Sequence, residues 1–150
     1  MLSLSELTEL IHERRSIFPL MFTGEKVDDE LIMQLLQNAN QAPTHKQTEP
    51  WRFHTITGAK LEALAQFFQV TYKTETRVED FQGVKYRKLR KEIELSSHVI
   101  IISMQRDPEE SLPEWEEIAA VACAVQNLFL SVTAAGLGGY WSSPGLMIDH

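Results

Sequence analysis

The sequence predicts an α+β fold, in its general form or as a three-layer αβα arrangement. Two observations carry this reading. Helical character recurs in five separate segments, and only two short segments have the composition of strands. Those two segments lie far apart in the chain with helices between them, so they are not joined by a simple hairpin turn. A length of 150 residues, with 43% hydrophobic and 23% charged side chains, fits a single globular domain over 1–150.

The elements follow in order. Ser3 and Glu6 form a capping box ahead of Leu4, Leu7, Leu10 and Ile11, which share one helical stripe running to about Arg15. Asp28 caps a second helix carrying Leu31, Ile32, Leu35, Leu36 and Ala39, and Pro43 stops it. "WRFHTITG" is rich in aromatic and β-branched residues and predicts a strand. "AKLEALAQFFQ" returns to helical period. Residues 71–91 hold 7 of the 14 basic side chains against three acids, which reads as a solvated helix or lid, with a patch for an anionic ligand as the sharper alternative. "SHVIIISM" is a continuous apolar run and predicts a buried central strand. Pro113 suits the first position of a long Ala-rich helix that runs to Ala135 and is capped by Gly136.

Composition excludes several functions. A net charge of −7 argues against general nucleic-acid binding. The single cysteine, Cys123, cannot pair within the chain, so a reducing, cytoplasmic setting is expected; among Ala and Val it reads as a buried, inert thiol. The N-terminal segment has acids within its apolar run and does not read as a signal peptide. Ile118 to Ile148 lacks charge and is long enough to span a bilayer, but its Ala-rich, Gln- and Asn-containing first half reads better as a helix buried in protein. His12, His45, His54, His98 and His150 show no metal-ligand spacing, and no Ser–His–Asp arrangement is legible. An enzyme built on this chain would therefore rely on a bound cofactor for its chemistry.

Three segments carry unusual polar capacity. "ERRS", Glu13 to Ser16, ends the first helix with two arginines and a hydroxyl, a combination suited to phosphate and equally to an exposed basic helix end. "QAPTHKQTEPW", Gln41 to Trp51, has more hydrogen-bonding groups than a turn requires. "GLGGYWSSPG" follows a helix, so it is not a dinucleotide fingerprint, yet its glycines leave backbone amides open to close approach.

Read together, "RRS", "APTHKQTEPW" and "GLGGYWSSPG" resemble the three flavin-contacting segments of the nitroreductase family, and most closely the small bacterial nitroreductases with an "APxHK…PW" loop. The resemblance implies a three-layer αβα sandwich with a mostly antiparallel central sheet, in a domain-interlocked homodimer. It implies FMN at the subunit interface, NADH or NADPH as electron donor, and ping-pong hydride transfer through flavin N5 to a nitroaromatic, quinone or similar small acceptor. Arg14, Arg15 and Ser16 would hold the phosphate and ribityl end. Trp141, Ser142 and Ser143 would lie along the ring, and Gln41, His45 and Gln47 would reach it from the other subunit. No nucleic-acid or membrane partner is implied. Two departures stand out: Phe18 replaces a frequent basic residue, and Glu49 a usual glutamine. Family members continue past the third motif with a helix, a strand and a wrapping tail, so the domain is expected to be C-terminally incomplete. A flavin-binding or interaction protein without turnover is the alternative.

Overall fold

The computed structural model describes residues 2–143; Pro144, Gly145 and His150, singled out above, lie outside the described residues. The elements are α1 (Leu4–Glu13), α2 (Asp29–Ala39), β1 (Trp51–Thr57), α3 (Ala59–Glu75), α4 (Gly83–Glu94), β2 (His98–Met104) and α5 (Glu114–Ala134), with short 3₁₀ turns between some of them. The fold is α+β, in the order the sequence predicts. β1 and β2 pair as a two-stranded sheet. Gln105 N donates to Pro50 O at 2.8 Å, and Thr57 Oγ1 to Ser97 O at 3.4 Å. Rising numbers on one strand meet falling numbers on the other, so the pair is antiparallel.

The chain divides into two compact units. One holds α1, Val27–His54 and Ile100–Gly139; the other holds Ser16–Lys26, Thr55–Val99 and, among the described residues, 140–143. In the first unit, Ile32, Leu35 and Ala39 of α2 pack on Leu128 of α5, with Phe53 and Ile100 from the two strands against them. A neighbouring cluster joins Ala42 and Trp51 to Ala120 and Ala124. In the second unit α3 and α4 form an antiparallel pair around Ala65, Phe68 and Ile93.

Local signals act as expected. Ser3 Oγ accepts from Glu6 N at 3.2 Å while Glu6 Oε2 accepts from Ser3 N at 2.7 Å, completing the capping box. The Ser3 hydroxyl, which donates to Glu6 Oε2 at 2.7 Å, and then the Ser3 N–H hold the Glu6 carboxyl below its ordinary range. Gly136 sits at φ 69° after α5. Its N–H reaches Thr133 O at 2.9 Å and that of Leu137 reaches Val132 O at 3.0 Å, a Schellman closure that glycine makes without strain.

Four details differ from expectation. Pro113 is the N-cap of α5, not its first helical residue, because its ψ of 135° is extended. β2 is half-buried along most of its length because it pairs with β1 alone among the described residues. α5 buries only one face: Glu117, Ala120, Ala124, Val125 and Leu128 turn inward, while Trp115 is 67% and Ile118 54% exposed. Cys123 lies on the open face and is exposed, since hydrophobicity marks a helix for burial without saying which side is covered within its own chain.

Candidate functional site

The Gln41–Trp51 loop is fixed at both ends by burial. Ala42 is 7% and Trp51 4% exposed. The Trp51 indole Nε1 donates to Asn40 Oδ1 at 2.6 Å, bridging the loop's two ends. Between these anchors the backbone is forced into the left-handed region at Lys46 (φ 53°), Gln47 (φ 56°) and Glu49 (φ 42°). Each such non-glycine residue costs on the order of 1 kcal/mol or more, and strain of this kind gathers where a loop has a ligand to hold. Thr44 Oγ1 supports the bend by accepting from Glu49 N at 3.2 Å.

Two tethers tie the loop to the first turn of α5 and the residues just before it. Lys46 Nζ donates to Ser111 O at 3.2 Å, and His45 Nδ1 meets Glu116 Oε2 at 2.7 Å. The receiving segment is itself held firmly. The Glu117 side chain is fully buried and accepts from Arg106 Nε at 3.0 Å and from Asp107 N at 2.8 Å. Arg106 Nη2 closes the turn on Leu112 O at 2.9 Å. The Glu117 carboxylate raises the Arg106 guanidinium further above its already high value. Asp107 bonds the Ser111 hydroxyl, and that bond leads the causes that lower its carboxyl.

The predicted residues are disposed as follows. Gln41, His45 and Gln47 share the strained loop and are exposed; the Gln41 and Gln47 carboxamides make no hydrogen bond among the described residues. His45 does not present a free ring, because Glu116 occupies its Nδ1. Arg14 forms the C-cap of α1 through its backbone N–H to Leu10 O. The residue is half-buried and its guanidinium pairs with nothing among the described residues, whereas Arg15 Nη1 folds back on Arg14 O at 2.8 Å. Ser16, Trp141, Ser142 and Ser143 belong to the second unit, and all four are exposed. There the departure at Phe18 has a partner: its ring lies 4.9 Å from that of Tyr140.

The glycines of the third segment divide by role. Gly136 closes α5. A Cβ at Gly139 would stand 3.3 Å from Val132 Cγ1, so Gly139 permits close packing on the helix. Several basic residues of the 71–91 segment are paired with acids, most of which lie outside it. Arg77 pairs with Asp80, Lys88 with Glu92 and Arg90 with Glu62 and Glu94. Lys85 Nζ stands 5.1 Å over the Tyr72 ring. Among the described residues no three His, Cys, Asp or Glu side chains gather as metal ligands.

Sequence reading missed Asn40, Glu116, Arg106 and Glu117. Their partners lie between 11 and 71 residues away, or within a turn whose shape local pattern does not encode.

The Nitroreductase family model matches residues 11–149. YfhC of Bacillus subtilis (strain 168), which carries a provisional NAD(P)H nitroreductase name, is 28% identical over 147 residues, covering 97% of this chain and 73% of that protein. The crystal structure of a nitroreductase-like family protein from Bacillus cereus superposes with a TM-score of 0.77 at 27% identity, over 99% of this chain and 75% of that one. The FMN-dependent nitroreductase NfnB of Mycobacterium smegmatis, solved in complex with NADPH, shares the fold with a TM-score of 0.70 at 21% identity, over 89% and 73% of the two chains. With the family model spanning nearly all of its length, the chain belongs to the nitroreductase family.

Proposed function

We propose that the chain, as a single FMN-binding domain over 1–150, is an FMN-dependent NAD(P)H oxidoreductase that reduces a nitroaromatic, quinone or similar small acceptor. Electron donor and acceptor would bind in alternation, the ping-pong order. The observation that carries this reading is the strained loop in a nitroreductase-family chain, with its two unengaged carboxamides. The NAD(P)H nitroreductase name of YfhC supports it.

The residues present fit FMN chemically. A phosphate needs a cation not already neutralised, and Arg14 offers one, with Arg15 and the Ser16 hydroxyl next in the chain. The edge of an isoalloxazine alternates donors and acceptors, and a carboxamide such as that of Gln41 or Gln47 matches both. Trp141, 54% exposed, offers an aromatic surface for a planar ring, with the Ser142 and Ser143 groups beside it. His45 keeps Nε2 for a ligand while Nδ1 is held. FMN, when bound, supplies the two-electron exchange between donor and acceptor; the chain's part is to bind it, orient its edge and shield the reacting face from water.

The homodimer belongs to the same proposal. The open face of α5 carries Trp115, Ile118, Ala119, Ala122 and Cys123, with the exposed charge of Glu114 confined to its first turn. α1 exposes Leu4, Leu7 and Ile11. An apolar groove of about 310 Å³ runs between α1, α2 and α5, lined by Leu10, Leu31, Leu35, Leu130 and Ala134 among others. A second copy covering these surfaces removes them from water, as obligate interfaces do. α5 is also long and apolar enough to cross a membrane, but its inward face is already committed to the cores with α2 and Trp51. Purified protein should therefore be yellow, or become so with FMN, and should oxidise NADPH when an acceptor is present. Protein that stays colourless with added FMN refutes the proposal. Flavin uptake and dimerisation without turnover under any acceptor would establish the non-enzymatic alternative, for which Phe18 in place of a cation is the motivation.

A further inference from the structure

We infer that Glu116 is a positioning residue for His45, fixing the tautomer and the aim of the imidazole in the flavin-binding loop; the inference rests on the reading of His45 as a flavin contact. The contact is short, 2.7 Å from Nδ1 to Oε2, and joins residues 71 apart in sequence. A carboxylate can only accept, so Nδ1 must carry the hydrogen. The neutral ring then has Nε2 as its acceptor. A histidine without such a partner places its hydrogen on either nitrogen and turns freely about its side-chain bonds.

The two partners differ in how firmly they are held, and this gives the contact its direction. The His45 side chain is 59% exposed and sits on the strained turn; that of Glu116 is 26% exposed. Glu116 lies in the first turn of α5, where the helix dipole favours a negative group. Its neighbour Glu117 is buried and locked by Arg106 and the Asp107 N–H. The platform is therefore rigid and the loop is the part that is placed. Lys46 Nζ on Ser111 O makes a second attachment to the same segment, so the loop is held at two adjacent residues. Orienting partners of this kind matter because a ring that binds with the wrong nitrogen loses its hydrogen bond altogether.

The experiment compares Glu116→Leu, Glu116→Gln, His45→Ala and the double variant His45→Ala/Glu116→Leu in the full chain. Long-range ¹⁵N correlation spectra of the flavin-free protein should show the His45 hydrogen on Nδ1 in the parent and in Glu116→Gln, whose amide oxygen still accepts. Glu116→Leu should lose that signature. FMN titration should show up to about tenfold weaker binding in Glu116→Leu, the scale of one hydrogen bond lost from a misaimed ring. Glu116→Gln should restore most of it, and the double variant should bind no worse than His45→Ala. An unchanged His45 spectrum in Glu116→Leu, or losses that add in the double variant, overturns the positioning role. Unchanged FMN affinity in His45→Ala instead refutes the flavin contact beneath it, so the two failures are distinguishable.

Discussion

Asn40 closes the polar loop without being one of its proposed flavin contacts, which makes it the most informative place to perturb. Its Oδ1 accepts from the Trp51 indole at 2.6 Å, and Trp51 is only 4% exposed. Asn40 itself is exposed at the end of α2. Removing its amide by Asn40→Ala opens a space through which water can reach the indole N–H, so the loss is that of one ordinary hydrogen bond, about 0.5–1.5 kcal/mol. Asn40→Leu fills the space with an apolar side chain and strands the donor, which raises the cost to about 1–3 kcal/mol. Urea unfolding of the flavin-free protein by linear extrapolation reads both values. Leu should therefore be worse than Ala, although it is the larger side chain and buries more apolar surface. A Leu variant within about 0.5 kcal/mol of the parent, the scatter expected of surface substitutions, would refute the reasoning. Both variants should also weaken FMN, because the span holding Gln41, His45 and Gln47 is no longer closed at its base.

Three further outcomes are expected. Arg14→Ala should weaken FMN by about 1.5–3 kcal/mol, the scale of a charged hydrogen bond, while leaving the urea midpoint in place; isothermal titration checks both the loss and the folded baseline. Ala122→Glu, on the open face of α5, should convert the proposed homodimer to monomer by light scattering and abolish flavin uptake; a charged variant that remains dimeric would place the interface elsewhere. The Glu62 carboxyl is held low chiefly by the Arg90 guanidinium and then by Gln66. A lowered folded value adds stability above the ordinary carboxylate range of about 4, and that stability is lost as pH falls through the lowered value. Glu62→Gln should thus be less stable than the parent near pH 7, with the gap closing in acid; a gap that stays constant would contradict the pairing.

What could be read from the sequence was local. The capping box at Ser3 and Glu6, the Asp28 cap and the Gly136 closure each depend on residues within one or two turns, and each forms as the pattern implies. Element order followed from periodicity, and so did the composition of the Gln41–Trp51 loop. Contacts set by the fold were not legible. Nothing near His45 in the chain points to Glu116, and nothing near Arg90 points to Glu62, 28 residues away. The exposed side of α5 was missed for a related reason: an Ala-rich helix without charges looks alike on every face, and only packing on α2 and Trp51 decides which face is inward. The pairing of half-buried Arg106 with buried Glu117 was hidden too, because charged residues beside a turn read as solvated until the turn folds over them.

The most direct test is to titrate the flavin-free protein with FMN while recording the molecular mass in solution. Flavin fluorescence should be quenched saturably at one FMN per chain in a dimer, and the quenching should be lost together with the dimer in the α5 variant. A folded protein of monomer mass that leaves flavin fluorescence untouched would contradict it.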